Sequence, residues 1–169
     1  MKKRLYFAYG SNLHLTQMLQ RCPDTEPVTQ AILRGYELTF KGNARGWGVA
    51  DVVLSSSSSV VVGALYGVSP EDIEALDRYE GYPNLYTRKT VTVETREGKR
   101  KCFVYVMQPG YKYTLPNTHY FRTIWVGYQN WALPTDYLTE ALKRTSKKLP
   151  KISVKNLSEP SCNLQRQPK

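Results

Sequence analysis

Residues 4–22, RLYFAYGSNLHLTQMLQRC, decide how the chain starts to fold. The run 4–9 is short, apolar and aromatic and ends at Gly10, which predicts a strand closing on a tight loop. From Asn12 onward, Leu15, Met18, Leu19 and Cys22 recur at helical spacing, so a helix follows. Further along, the segments 31–41, 49–54, 60–68, 86–95 and 101–107 are rich in β-branched and aromatic residues, and several are bounded by Gly, Ser or Pro. Five or six strands with few helices predict a mixed α/β (α+β) fold around a closed or strongly curved mixed sheet.

Two further helices announce themselves by their starts. In Ser69-Pro70-Glu71-Asp72 a capping Ser precedes Pro at the first helical position and two acids in the first turn, and the helix is expected to stop at Gly81. Leu133-Pro134-Thr135-Asp136 leads into Tyr137, Leu138, Ala141 and Leu142, a single-faced apolar set. The serines 55–59 lie between two Val-rich runs and read as a flexible hairpin connection without chemistry. Beyond about residue 147 the periodicity decays, so the expected organisation is one domain over 1–146 and a basic, loosely ordered extension over 147–169.

Charge and cysteines narrow the classes. The net charge is +10, but residues 143–169 hold eight Lys/Arg against the single Glu159, which leaves the first 142 residues at +3. A nucleic-acid partner would therefore be driven by the tail alone, with salt-sensitive and sequence-blind attachment. Cys22, Cys102 and Cys162 are an odd set without metal-like spacing, so reduced thiols are expected rather than a disulfide framework or zinc site. Neither a membrane span nor a signal peptide is readable, and the expected location is the cytoplasm.

Glu80 is the first candidate for chemistry. Ile73, Leu76 and Glu80 stand at i, i+3 and i+7, which puts the carboxylate on the apolar face of its helix. It also lies in the last turn, where the helix dipole disfavours an anion. Burial there would raise its pKa toward neutrality, as a general acid/base requires. A solvated Glu80, or one paired with Arg78 or Arg88, stays open at this point. The turn Tyr9-Gly10-Ser11-Asn12 could present backbone N–H groups to an anion, or could be an ordinary turn capped by Ser11 or Asn12. His14 reads as a helix-surface residue and His119 as a loop or helix-start residue at the edge of a pocket. Gly46-Trp47-Gly48 lacks the remaining parts of a dinucleotide site.

Taken together, Tyr6-Phe7-Ala8-Tyr9-Gly10-Ser11-Asn12-Leu13 resembles the strand-and-loop signature of the gamma-glutamylcyclotransferases and their relatives, and Leu76-Asp77-Arg78-Tyr79-Glu80-Gly81 resembles the segment that carries their catalytic glutamate. Gly46-Trp47-Gly48-Val49-Ala50-Asp51, Val62-Gly63-Ala64-Leu65-Tyr66, Phe103-Val104-Tyr105-Val106 and the region 120–137 fall in family order. The resemblance implies a small barrel-like sheet flanked by helices, no metal or organic cofactor, and a monomer or homodimer acting on a small γ-glutamyl substrate. It also implies a cofactor-free reaction of lyase or acyltransferase type, as in glutathione metabolism: cyclisation of a γ-glutamyl amide to 5-oxoproline with release of the amine or amino acid. Glu80 would be the acid/base, and Tyr6, Phe7, Ala8, Tyr9, Gly10, Ser11 and Tyr120 would line the substrate site. Tyr79 and the segment 81–85 depart from the family pattern and are expected to shape the leaving-group side. The alternative is a catalytically idle member that binds a γ-glutamyl-like ligand in a regulatory role.

Overall fold

A computed structural model describes residues 3–42 and 46–150. In chain order the elements are β1 (Arg4–Ala8), a 3-10 turn (Ser11–Leu13), α1 (Leu15–Arg21), β2 (Glu26–Arg34), β3 (Tyr36–Gly42), β4 (Gly48–Leu54) and β5 (Val60–Val68). There follow α2 (Pro70–Glu80), β6 (Tyr86–Thr95), β7 (Gly98–Met107), α3 (Thr118–Asn130) and α4 (Asp136–Lys147). Five strands close into a barrel in the order β1-β5-β2-β6-β7, and β3 and β4 form a separate two-stranded sheet. Within the barrel β1 runs antiparallel to β5 and parallel to β7, with Tyr6 opposite Tyr66 on one side and Phe103 on the other. The expected mixed, barrel-like sheet flanked by helices is therefore what the chain adopts.

The strand pattern departs from expectation in two linked places. The segment 31–41 is broken at Gly35, whose φ of 77° turns the chain out of the barrel, so that its first part pairs with β5 and its second with β4. The serine run is not a hairpin connection, because β4 and β5 pair with different partners. It carries the chain between the sheets and is stitched to the break by Gly35 N–H to Ser59 C=O at 2.9 Å and Ser55 N–H to Gly35 C=O at 2.8 Å. Asp51 ties the small sheet to the barrel: it is fully buried, pairs with Lys41 at 2.8 Å and accepts from the Met107 amide at 2.8 Å.

The helices follow local rules more closely. Ser69 and Asp72 exchange side-chain-to-backbone bonds at 3.1 Å in a capping box, Pro70 opens α2, and Gly81 ends it at φ 67°. Ile73 and Leu76 are buried as the periodicity requires. In α1, Met18 and the C-cap Cys22 are buried but Leu19 is 44% exposed, and in α4 Leu138 and Ala141 are buried while Tyr137 is exposed. His14 is the N-cap of α1, accepting from Gln17 N–H, rather than a surface residue of the helix. The length of α3 was not legible in the sequence, although His119, read as a loop or helix-start residue, lies in its first turn; Asn117 caps the helix by accepting from Tyr120 N–H at 2.7 Å. Its Gly127 allows a close approach, since a Cβ there would stand 2.6 Å from the Leu13 Cβ. That contact seats α3, and with it Tyr120, directly on the loop after β1. Among the described residues no helix is long and apolar enough to cross a membrane. Most of the expected extension, from residue 151 on, lies outside the described residues, as does Cys162.

Candidate active site

Three elements converge on one place: the loop after β1, the C-terminal end of α2, and the start of α3. They border a cleft of about 560 Å³ and an inner chamber of about 20 Å³ that share Ser11, Glu80, Tyr86 and Tyr120. The cleft falls in the usual range for small-molecule sites. Its outer wall includes Trp47, Val49, Tyr79, Leu85, His119 and Thr123, so His119 does edge the pocket.

Glu80 sits where cleft and chamber meet. It keeps a little exposure through the cleft mouth while dense protein surrounds its carboxylate, and this desolvation pushes its pKa up from 4.5 to about 7. Two groups restrain the rise: the Arg21 guanidinium and a hydrogen bond from Asn12. The Asn12 Nδ2 donates to Glu80 Oε1 at 2.8 Å and to the Tyr6 hydroxyl at 2.9 Å. Glu80 is therefore not a freely solvated carboxylate, and it does not pair with Arg78 or Arg88. Arg78 stands 3.9 Å from Glu74 and Arg88 lies beside Asp77.

The chamber is walled by phenols, and their hydrogen bonds sort them. Tyr9 donates to the Tyr105 carbonyl at 2.7 Å, Tyr86 to the Ala50 carbonyl at 2.5 Å, and Tyr105 to Asp77 at 2.6 Å. Those three protons are committed. Tyr6 and Tyr120 accept instead, Tyr6 from Asn12 and Tyr120 from the Ala50 amide at 3.1 Å, which leaves their own protons to be offered into the chamber. Burial raises the pKa of all five, so they are neutral donors at physiological pH.

The loop itself is not capped by Ser11 or Asn12. Gly10 is the N-cap of the 3-10 turn, no side chain caps it, and the Ser11 and Asn12 amides take no acceptor among the described residues. Ser11 Oγ bonds the Tyr79 hydroxyl at 3.1 Å. Of the residues expected to line the site, Tyr6, Tyr9, Gly10, Ser11, Glu80 and Tyr120 are brought together. Phe7 and Ala8 are not: both are fully buried, and the Phe7 ring packs against Gly63 on the other face of β1. The sequence reading missed Asn12 as a partner of Glu80, and it did not name Arg21, Ala50, Tyr86 or Tyr105 as site residues. Of the departing segment, Tyr79 and Leu85 line the cleft.

A family model described as "Gamma-glutamyl cyclotransferase, AIG2-like" matches residues 6–131. The chain belongs to that family. It is 33% identical over 142 residues to the gamma-glutamylcyclotransferase of Bos taurus, covering 79% of this chain and 74% of the relative, and 32% identical over the same length to that of Homo sapiens. A solved gamma-glutamyl cyclotransferase superposes with a TM-score of 0.74 at 26% identity, over 94% of this chain and 95% of the other. The family match spans the chamber from Tyr6 to Tyr120 and ends at Trp131, whose indole N–H donates to the Leu13 carbonyl at 3.1 Å and so braces the site loop from beneath. Among the described residues no three His, Cys, Asp or Glu side chains group as metal ligands.

Proposed function

We infer that the chain is an enzyme of the gamma-glutamylcyclotransferase class, and we propose that it closes a γ-glutamyl amide to 5-oxoproline with Glu80 as its proton carrier. The observation that carries this reading is the position of Glu80 at the junction of cleft and chamber, with a pKa near 7 and a fixed donor on one oxygen.

In the proposed reaction the substrate's α-ammonium gives a proton to the Glu80 carboxylate. The freed amine attacks the γ-carbonyl carbon, and the new C–N bond closes a five-membered ring. Negative charge builds on the carbonyl oxygen, where the neutral donors Tyr6 and Tyr120, or the Ser11 and Asn12 amides, can meet it. Collapse breaks the bond to the leaving nitrogen, which takes that proton from Glu80, and the ring nitrogen sheds its second proton to the regenerated carboxylate, which passes it to the departing amine, so that 5-oxoproline and an ammonium product leave. A group near pH 7 serves both transfers, since it is close to half protonated. Holding the flexible chain folded on itself supplies much of the remaining acceleration. The reading uses protein groups and a small-molecule substrate alone, and a monomer or homodimer would serve it.

The relatives named above as enzymes speak against the idle ligand-binding alternative. Buried free thiols at Cys22 and Cys102 support a reducing, cytoplasmic setting. The test is mass-spectrometric detection of 5-oxoproline from wild type and Glu80→Gln, each offered γ-glutamyl dipeptides, γ-glutamyl amines and glutathione. Product from wild type and a loss of about 10²-fold or more in the variant is expected. A folded wild type that yields no product from any substrate returns the idle alternative.

A further inference from the structure

Arg21 lies in the last turn of α1, outside both the site loop and the helix that carries Glu80, yet its side chain reaches two residues of the site, Asn12 and Tyr79. Its Nη1 donates to Asn12 Oδ1, and its Cζ stands 3.4 Å from the centroid of the Tyr79 ring. Tyr79 is half exposed and is itself tied to Ser11. A carboxamide has one accepting and one donating end, and a guanidinium can only donate. Arg21 therefore dictates that Asn12 turns its oxygen outward and its Nδ2 inward, to Glu80 and Tyr6. Reversed, the amide would set its oxygen against the Glu80 carboxylate and its NH₂ against Arg21, and both contacts would be lost.

We propose that Arg21 is a positioning residue for Glu80: held on the Tyr79 ring, it fixes the orientation of Asn12 and supplies the cation that favours the ionised carboxylate. This rests on the reading of Glu80 as proton carrier. The other groups around Glu80 do not duplicate the role. Tyr6 from β1, Tyr9 from the loop after it, Tyr86 from β6, Tyr105 from β7 and Tyr120 from α3 are neutral phenols; Asp51 on β4 is bound to Lys41 of β3; Arg88 of β6 faces Asp77. Arg78 and His119 reach the cleft wall, but neither shares Asn12. Charge and amide orientation act in the same direction, so one side chain both turns the donor toward Glu80 and offsets part of its desolvation.

The test is direct titration of Glu80 by carbon-13 NMR of protein labelled at the glutamate side-chain carboxyl, assigned with Glu80→Gln. Wild type is compared with Arg21→Met, which removes charge and donor, and Arg21→Lys, which keeps the charge. The midpoint is expected to rise by about one pH unit or more in Arg21→Met and to return most of the way in Arg21→Lys. If Arg21→Met fails to fold, Arg21→Gln, which keeps a donor without the charge, is expected to show the smaller rise that loss of the charge alone produces. Equal midpoints in wild type and the uncharged variant overturn the proposal. The acidic limb of kcat/KM is expected to move with the midpoint. A midpoint that moves while the limb stays leaves the positioning role standing and refutes Glu80 as proton carrier.

Discussion

Replacing Glu80 by Gln is expected to stabilise the protein, and to do so only where the carboxylate would be charged. The folded pKa of about 7 lies above the ordinary 4.5. Between those values the native state holds a proton that the unfolded chain has released, so wild-type stability falls as pH rises through the window. A pKa that folding raises by one is worth about 1.4 kcal/mol. Between pH 5 and pH 8 the wild type therefore gives up roughly 2–3 kcal/mol on account of this one group, while Gln, which keeps the shape and does not titrate, gives up none.

The assay is urea unfolding of both proteins at pH 5 and pH 8, read as the difference of differences so that other titrating groups cancel. Glu80→Gln should gain roughly 2–3 kcal/mol relative to wild type on passing from the lower to the higher pH, equivalent to roughly 4–12 °C in Tm for a domain of this size. A change under about half a kcal/mol would mean that Glu80 titrates like a solvated carboxylate, and the desolvation argument would fail with it. Because the assay needs no substrate, it separates the physics of the site from the identity of the reaction.

Tyr120→Phe should leave the Ala50 amide without its acceptor, costing ~1–3 kcal/mol in urea unfolding, and remove a donor from the chamber, lowering kcat/KM about tenfold or more in the 5-oxoproline assay; an unchanged kcat/KM would show that the phenol is filler. Gly10→Ala sets a methyl 3.1 Å from the Ala50 Cβ and 3.7 Å from the Tyr120 hydroxyl, so substrate binding should weaken while urea unfolding changes little. Ser69→Ala breaks the capping box far from the cleft and should cost about 1 kcal/mol in unfolding with the Glu80 titration midpoint unmoved. Burial pushes the Cys22 and Cys102 thiols up to about 12, so in native protein at pH 8 neither should take an alkylating label within hours, as peptide mass mapping would show.

What the sequence could show was local. The start and stop of α2 are written in Ser69, Pro70, Asp72 and Gly81 within one helix, and the phase of Glu80 follows from Ile73 and Leu76 by the same counting. The strand alternation of β1 also carried a warning that the family pattern overrode: with Tyr6 facing the chamber, Phe7 must face away, into the core beside Gly63. The partners of Glu80 were hidden for the opposite reason. Asn12 is 68 residues from Glu80, and no period or motif encodes a contact that exists only once the barrel has closed. The split at Gly35 is similar, since a single αL glycine inside an unbroken apolar run changes which sheet the chain enters without altering its β propensity.

The thirteen tyrosines are the clearest case of composition that becomes chemistry only in three dimensions. Read singly they are strand filler, and on Tyr66 the hydroxyl does bind structure, donating to the Asn12 carbonyl at 3.0 Å. Five others surround a carboxylate whose usefulness depends on a pKa near 7. A second carboxylate in their place would push Glu80 higher, and a lysine would pull it down and compete for its proton. A phenol does neither while it stays neutral, yet it still offers an O–H. The site can thus be crowded with neutral phenols around Glu80, Tyr6 and Tyr120 keeping protons to offer, while the Arg21 cation restrains its pKa.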